Sequence, residues 1–414
     1  MLFSFICHNA CSYKFLLPQS SHHDTMERNA DELQRKSFRM KLSKIVSPLL
    51  KWYDSNARIL PWRENPEPYA VWISEIMLQQ TRVEAVKPYF DRWMKALPNL
   101  SSLANATEAE VLKLWEGLGY YSRVRNIHRT AKLVLEKYGG RLPSSFEELL
   151  SLPGIGEYTA GAVGSIAFQL PVPCVDGNVL RVVTRLTADT SDITVAATKR
   201  LLTDRIKEII PEKRPGDFNQ AMMELGATVC LPNGLPKCEQ CPIASLCEAR
   251  LQNRIVEFPV KSGKPSRKVE EKTILILLDN TKAMPNAALR KRPEVGLLAG
   301  LWEFPNFDGV LSEEEVRQIL KTSGLDTFSL VKLKNAKHIF SHIEWQMTGF
   351  LVIIKDQISE SKHVAEQTLN YDIPNHVLLE YEWVPIDLLD EKLTLPAAFK
   401  AYYQIMKHYI SKES

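Results

Sequence analysis

From Lys41 to about Glu257, apolar residues recur at the spacing of amphipathic helices, and short breaks such as Leu97-Pro98-Asn99 and Tyr138-Gly139-Gly140 separate the segments. This part is expected to be all helical. The pattern then stops. FPVKSGKPSRKVEEK at 258–272 is rich in Pro, Gly, Ser and Lys without apolar periodicity, and reads as a linker. Beyond it, TILILL at 273–278 and TGFLVII at 348–354 have the dense apolar character of strands. Residues 312–322 are patterned as a helix, and another helix is expected near the end. The expected organisation is an N-terminal extension (1–40), a mainly α domain (41–257), a linker (258–272) and an α+β domain (273–414). Met26 and Met40 both precede the first strongly patterned segment, and the extension is assigned no function.

Composition narrows the class. A length of 414 residues suggests two or three domains, and 45% hydrophobic with 24% charged residues is close to the globular average. A formal net charge of +3 permits a polyanionic partner without arguing for one. The first residues lack a basic start, a sustained apolar run and a small-residue cleavage site, so no signal peptide is read. No stretch is apolar enough to span a bilayer, so no membrane partner is expected and a cytoplasmic location is.

Seven cysteines are too few for a disulfide scaffold, and four of them crowd together as C-x7-C-x2-C-x5-C at Cys230, Cys238, Cys241 and Cys247. Closely spaced thiolates are what an Fe-S cluster or a structural zinc requires. Burial as small hydrophobes is the competing account, weakened by four in one loop. Paired Cys-x2-Cys units at both ends would favour zinc. Only Cys238 and Cys241 form such a pair, which favours a [4Fe-4S] cluster.

Three other places carry candidate chemistry. LPGIG at 152–156 lies between two amphipathic helices, where backbone amides at Gly154, Gly156 and the next helix start could hold a phosphate; a plain helix-helix turn is the alternative. Asp176 sits in a turn-forming Asp-Gly-Asn before a new helix, where a simple N-cap is the alternative. Glu75, Gln79 and Gln80 interrupt an apolar face, where a solvated surface charge is the alternative for Glu75.

In this order the motifs resemble the endonuclease III superfamily of DNA glycosylases, which ends a helix-hairpin-helix domain with a [4Fe-4S] loop. The first inter-cysteine segment, LPNGLPK, is one residue longer than usual there, a small fraction of roughly 0.6 kcal/mol in closure entropy. The resemblance implies that Cys230, Cys238, Cys241 and Cys247 ligate the cluster and that Gly154 and Gly156 approach DNA. It makes Asp176 the shared catalytic carboxylate, with Asn178 holding its surroundings. Tyr158 stands where strand-cutting relatives carry a lysine that forms a Schiff base with the sugar. A phenol cannot form an imine, so base removal without efficient strand cleavage is expected.

LPWRENPEPYAVWISEIMLQQTRVEAVKPYF at 60–90 is similar to the signature of adenine DNA glycosylases. That similarity implies Glu75 as general acid, Gln79, Gln80 and Thr81 at the DNA strand with Gln80 as a wedge, and Trp62, Arg63 and Gln220 at the pocket. Tyr120, in GLGYYSRVRN, corresponds to the aromatic inserted beside 8-oxoguanine. The chemistry requires two carboxyl groups. Adenine leaves slowly as an anion, so a neutral Glu75 protonates N7, while an ionised Asp176 stabilises the oxocarbenium-like sugar, either electrostatically or through a transient covalent bond. Flipping must come first.

In the second domain, GLLAGLWEFPNF at 296–307 resembles the start of a Nudix-type fold, but EEEVRQILKTSGL at 313–325 lacks the Arg-Glu-x-x-Glu-Glu metal helix, so no pyrophosphatase activity is expected. HIFSHIEW at 338–345 matches the recognition loop of adenine glycosylases, implying that Phe340, Ser341 and His342 contact 8-oxoguanine. A buried strand with a satisfied histidine is the alternative. The implied partner is double-stranded DNA with A:8-oxoguanine or A:G mispairs, bound by a monomer. Rival readings are a glycosylase/lyase for oxidised pyrimidines, disfavoured by Tyr158 and Glu75; a silent DNA-binding or redox protein, disfavoured by Glu75 with Asp176; and a pyrophosphatase fused to a helical module.

Overall fold

The computed structural model describes residue 40 and residues 42–263, 266–281, 284–355 and 380–413; all of the expected N-terminal extension except Met40 lies outside the described residues. The described residues form two units. One comprises the described part of Met1–Ala57 with Val175–Val260, the other Arg58–Cys174 with the described part of Lys261–Ser414. The segment expected as one helical domain is therefore shared between them, because the chain leaves the first unit after Ala57 and rejoins it at Val175.

The first unit is helical, built from Val46–Asn56, Gly177–Thr187, Ala196–Lys207 and Pro215–Thr228 around Leu49, Val179, Val183, Phe218, Met222 and Leu225. Its helices approach closely at Gly226, where an added Cβ would lie 2.6 Å from Asn178 Cβ. A side chain there would push apart the two helices that frame Asp176.

The second unit begins with eight helices, from Pro61–Glu64 to Glu157–Ile166. Asn99 and Thr107 start two of them with reciprocal capping boxes, each contributing about 1 kcal/mol. Pro68–Leu78 is buried from Ala70 through Met77, as a helix hydrophobic on all sides must be. Trp93 and Trp115, on two later helices, meet edge-to-face at 5.7 Å and join them.

The rest of this unit is a sheet with helices on both faces. Its strands are β1 (Lys268–Asp279), β2 (Asn286–Lys291), β3 (Trp302–Glu303), β4 (Asn306–Asp308), β5 (Phe328–Lys332), β6 (Ala336–Ile339), β7 (Ile343–Ile354) and β8 (Glu382–Pro385). The main order is β3-β2-β1-β7-β5, with β1 and β7 parallel and the other pairs antiparallel. The helix Glu313–Thr322 places Val316 and Leu320 on Leu275, Leu277 and Phe350; Tyr402 and Met406 of Lys400–Glu413 cover Ile274, Ile276 and Met347 on the opposite face. Ser312 caps the first of these helices.

Two strand boundaries differ from expectation. β1 starts at Lys268, inside the stretch read as linker, and β7 starts at Ile343 rather than at 348. The extra residues pair with each other, from Lys268 with Ile343 to Lys272 with Met347. Long-range pairing creates strand where local periodicity is missing. Among the described residues, no helix is long and apolar enough to cross a membrane.

Candidate active site

Glu75 is the one acidic side chain on the Pro68–Leu78 helix, and it is only 5% exposed. The surface-charge account of this residue therefore fails. Tyr158 Oη donates a hydrogen bond to Glu75 Oε2 at 2.5 Å. Tyr158 rides on Glu157–Ile166, the helix that follows the glycine hairpin and packs on the Glu75 helix. The phenol thus lies on the carboxyl group, where it can orient Glu75.

The hairpin runs from Phe146–Leu150 through a turn into Glu157–Ile166. Gly154 has φ +75°, and an added Cβ would sit 2.5 Å from Asn126 Cβ, so only glycine fits. Thr130 Oγ1 fixes the turn by donating to Pro153 O at 2.6 Å. Gly156 is the N-cap of the second helix and no side chain caps it, which leaves a helix N-terminus suited to an anion.

Two exposed tips adjoin this region in sequence and bonding. Gln80 (φ 59°) and Tyr120 (φ 49°) both adopt the left-handed conformation, strained for non-glycine residues. Tyr120 is 46% exposed. Both tips are held by Arg123. Its Nη1 donates to the carbonyls of Ile76 (2.7 Å), Met77 (3.2 Å) and Gln79 (2.7 Å), and its Nη2 to those of Leu118 (3.1 Å) and Gly119 (3.2 Å). Gln79 Nε2 also reaches Thr159 Oγ1 at 3.4 Å, and Thr81 Oγ1 donates to Gln79 O at 3.4 Å.

In the other unit, Asp176 is the N-cap of Gly177–Thr187, as the simpler account required. Its Oδ1 accepts from the Asn178 and Val179 amides at 2.9 and 2.8 Å, and Oδ2 accepts from Asn178 Nδ2 at 2.6 Å. Burial pushes the Asp176 carboxyl above the usual carboxylate range; these N–H donors and then the Arg181 charge act the other way. Arg181 ties the group inward, donating to Asn178 Oδ1 (2.8 Å), Gly226 O (2.8 Å) and Cys230 O (2.9 Å). Gln220 lies half-buried on Pro215–Thr228 of the same unit.

Cys230, Cys238, Cys241 and Cys247 line one small cavity in the first unit, with Arg185 and Arg250. Among the described residues no three His, Cys, Asp or Glu side chains converge enough to hold a single ion. Arg185 Nη1 lies 3.3 Å from Cys230 Sγ, and Cys247 Sγ donates to Arg185 O at 3.3 Å. Burial pushes the Cys238 and Cys247 thiols up and Cys241 to about 12, so thiolates there need a cationic partner.

Phe340, Ser341 and His342 form the turn between β6 and β7. Phe340 is anchored edge-to-face on His338 (4.6 Å) and Trp345 (5.0 Å), while Ser341 and His342 are exposed. Ser341 Oγ lies 2.8 Å from Tyr120 Oη. Two sequence candidates separated by 221 positions thus meet, beside a cavity that both line.

Trp62 is buried against Phe90 at 5.3 Å, and Arg63 Nη1 donates to Arg58 O at 3.2 Å; both side chains have structural partners here. Sequence reasoning passed over Arg123, Arg181 and Arg185. Arg181 and Arg185 stand four apart among the apolar Val179, Leu180, Val182, Val183 and Leu186, a signal that was available. Arg123 sits among other basic residues and carried none.

The chain matches the HhH-GPD superfamily of base excision DNA repair proteins over residues 73–208 and the NUDIX domain over 275–404. The helical part is thus followed by a Nudix-type sheet part. Among solved structures it is similar to a thermostable thymine-DNA glycosylase, at 29% identity and a TM-score of 0.47, covering 54% of this chain and 99% of that one. It is 40% identical over 352 residues to the adenine DNA glycosylase of Mus musculus, covering 72% of this chain and 68% of that protein. The corresponding enzyme of Rattus norvegicus is 38% identical over 367 residues, covering 76% and 71%. Because these matches run through both the helical and the sheet-bearing parts, the chain belongs to the adenine DNA glycosylase family.

Proposed function

We propose that this chain excises adenine paired with 8-oxoguanine, and with guanine, by hydrolysing the N-glycosidic bond without cutting the strand. The observation that carries this reading is the 2.5 Å hydrogen bond from Tyr158 to the buried Glu75. It supplies an oriented carboxyl group and puts a phenol where strand cutting needs an amine.

Adenine flips out of the duplex, aided by Gln80 and Tyr120 at their exposed tips, at a cost of a few kcal/mol that is lower at a mispair. Glu75 delivers its proton to N7. The bond between C1′ and N9 breaks with its electron pair passing to the base, and Asp176 as carboxylate stabilises the cationic sugar. Water then adds at C1′ and passes a proton to the Glu75 carboxylate, which restores the acid. Asn178 and the two helix amides hold the Asp176 carboxylate in place. Trp62, Arg63 and Gln220 belong to the adenine pocket on this reading, with Gln79 and Thr81 at the strand.

Gly154 and Gly156 serve a backbone phosphate, supported by the uncapped helix start at Gly156. Cys230, Cys238, Cys241 and Cys247 would hold a [4Fe-4S] cluster, supported by their shared cavity and by Arg185 beside Cys230. When bound, that group stabilises the loop and lies outside the hydrolytic step. Ser341 reads 8-oxoguanine, with Phe340 and His342 shaping the turn. The linear domain boundaries at 41–257 and 273–414, and the monomeric state, belong to the same reading.

The test is incubation with duplexes carrying A:8-oxoguanine, A:G, A:T and thymine glycol, with breaks scored before and after alkali. Adenine release from the first two, with breaks appearing mainly after alkali, is expected. Direct cutting at thymine glycol would reject the reading.

A further inference from the structure

Lys113 and Glu116 stand at the C-terminal end of the helix Glu108–Trp115, Glu116 being its C-cap. Tyr120 follows four residues later. Lys113 Nζ donates to the carbonyls of Leu389 (3.3 Å) and Leu393 (2.9 Å) and meets Glu116 Oε2 at 2.7 Å. Glu116 Oε1 accepts the Leu395 amide at 2.9 Å. All three donors of the ammonium and both oxygens of the carboxylate are thus engaged. Leu389 lies in the last turn of Ile386–Glu391, where helix carbonyls lack internal partners and a cation is favoured.

The gripped segment is continuous with the lesion-reading turn through a packed core. Leu389, Leu395 and Phe399 share one apolar cluster with Trp345, and Phe340 packs against that cluster. Phe340 precedes Ser341, whose Oγ lies 2.8 Å from Tyr120 Oη. The stretch from Lys113 to Tyr120 is therefore bonded to the sheet-bearing part at both ends. At a third point, Arg125 Nη2 and Glu294 Oε2 lie 2.7 and 2.8 Å from where a Cβ on Gly300 would stand.

We propose that Lys113 and Glu116 are specificity-determining positioning residues that hold the sheet-bearing part so that Ser341 meets Tyr120 before DNA arrives. The inference rests on the reading that Tyr120 and Ser341 flank 8-oxoguanine. Neither Lys113 nor Glu116 touches the base. Their effect is preorganisation: the two reading groups need no separate ordering when the lesion binds, and a duplex with plain guanine, which Ser341 does not select, gains nothing from it.

The test uses the full chain with Lys113→Met combined with Glu116→Ala, and Lys113→Arg as the conservative variant. Single-turnover excision and equilibrium affinity are measured on A:8-oxoguanine and A:G duplexes, with hydrogen exchange at the Lys392 and Leu393 amides, whose acceptor Leu388 O the substitutions leave in place, reporting undocking. The double variant is expected to lose about tenfold of its preference for 8-oxoguanine, within the usual range of coupling between sites. Excision from A:G should stay within about twofold, a change too small to register as coupling. Lys113→Arg should keep most of the preference. If the double variant melts, Glu116→Gln, which removes only the ion pair, carries the test with a smaller expected loss.

An unchanged preference with faster exchange at Lys392 and Leu393 would overturn the inference alone, and so would equal losses on both duplexes. A wild-type chain with no preference for 8-oxoguanine would overturn the parent reading, and this inference with it.

Discussion

Tyr158 Oη and Glu75 Oε2 are joined by a 2.5 Å hydrogen bond that links the helix after the glycine hairpin to the buried Pro68–Leu78 helix. A phenol and a lysine amine differ at this place in what they can do to a sugar. Tyr158→Lys should gain strand cutting and a borohydride-trappable adduct with DNA, because an amine can form an imine at C1′. Tyr158→Phe should lose orientation of Glu75 and slow excision by roughly 10- to 100-fold, the scale of a disturbed acid catalyst. Denaturing gels after borohydride check the first, and single-turnover rates the second. If Tyr158→Lys excises adenine yet never traps, residue 158 does not face the sugar.

Glu75→Gln should bind mispaired DNA as the parent does while losing base release by at least about 100-fold, since the amide keeps an acceptor for Tyr158 but has no proton of the right acidity to give. Gel-shift affinity and released adenine, measured on one preparation, separate the two effects. Loss of binding together with excision would mark Glu75 as a structural residue.

Asp176 carries a prediction in which stability and activity move in opposite directions. Burial raises its carboxyl pKa, so the folded protein holds the proton more tightly than the unfolded chain. The stabilising contribution is present below the unfolded pKa and is lost as pH rises through the folded one. At neutral pH the ionised group is therefore a net cost. Asp176→Asn keeps an N-cap acceptor, should abolish excision, and should melt at or above the parent temperature at pH 7. That advantage should shrink toward pH 4. The parent's excision rate should fall on acidification as Asp176 protonates. A Tm for Asp176→Asn well below the parent at pH 7 would show that the carboxylate is a structural anchor instead.

How much of this was legible depended on how far apart the partners lie in sequence. The four cysteines announced a shared site because all lie in one loop, and they do line one cavity. Ser312 was legible as a helix start because its capping partner Glu315 is three residues away. Glu75 was ambiguous, since a single carboxylate in an apolar run reads as a surface position until the other helices close around it. The start of β1 was missed because its pairing partner begins at Ile343. The same holds for Lys113, whose acceptors lie 276 and 280 positions away. Local pattern carries elements and ligand loops; contacts between distant segments arise only in the fold.

Arg123 is the clearest case of a residue with no sequence signal and a large expected effect. Its guanidinium serves five carbonyls, from Ile76 to Gln79 and at Leu118 and Gly119. Those groups belong to the end of the Glu75 helix and to the loop before Tyr120. Arg123→Ala should cost about 2–4 kcal/mol, because several carbonyls lose a charged donor at once. Arg123→Lys should recover only part, since one ammonium cannot fork toward both segments. Denaturant titration checks the stability. A loss under about 0.5 kcal/mol for Arg123→Ala would mean that water replaces the guanidinium.

The cysteine cavity gives the last prediction. Buried thiols with raised pKa values, Cys241 to about 12, would remain protonated by themselves and would not repel one another. If the loop were merely a thiol-lined void, Cys241→Ser would be nearly neutral and the purified protein would contain no iron. If the four residues hold a [4Fe-4S] cluster, the wild-type chain should carry about four irons, and Cys241→Ser should lose most of them. It should also lower Tm by roughly 10 °C, because the loop that closes the first unit loses its internal cross-link. Stoichiometric zinc in place of iron would keep the four ligands and reject the cluster, and no metal at all would return these cysteines to packing.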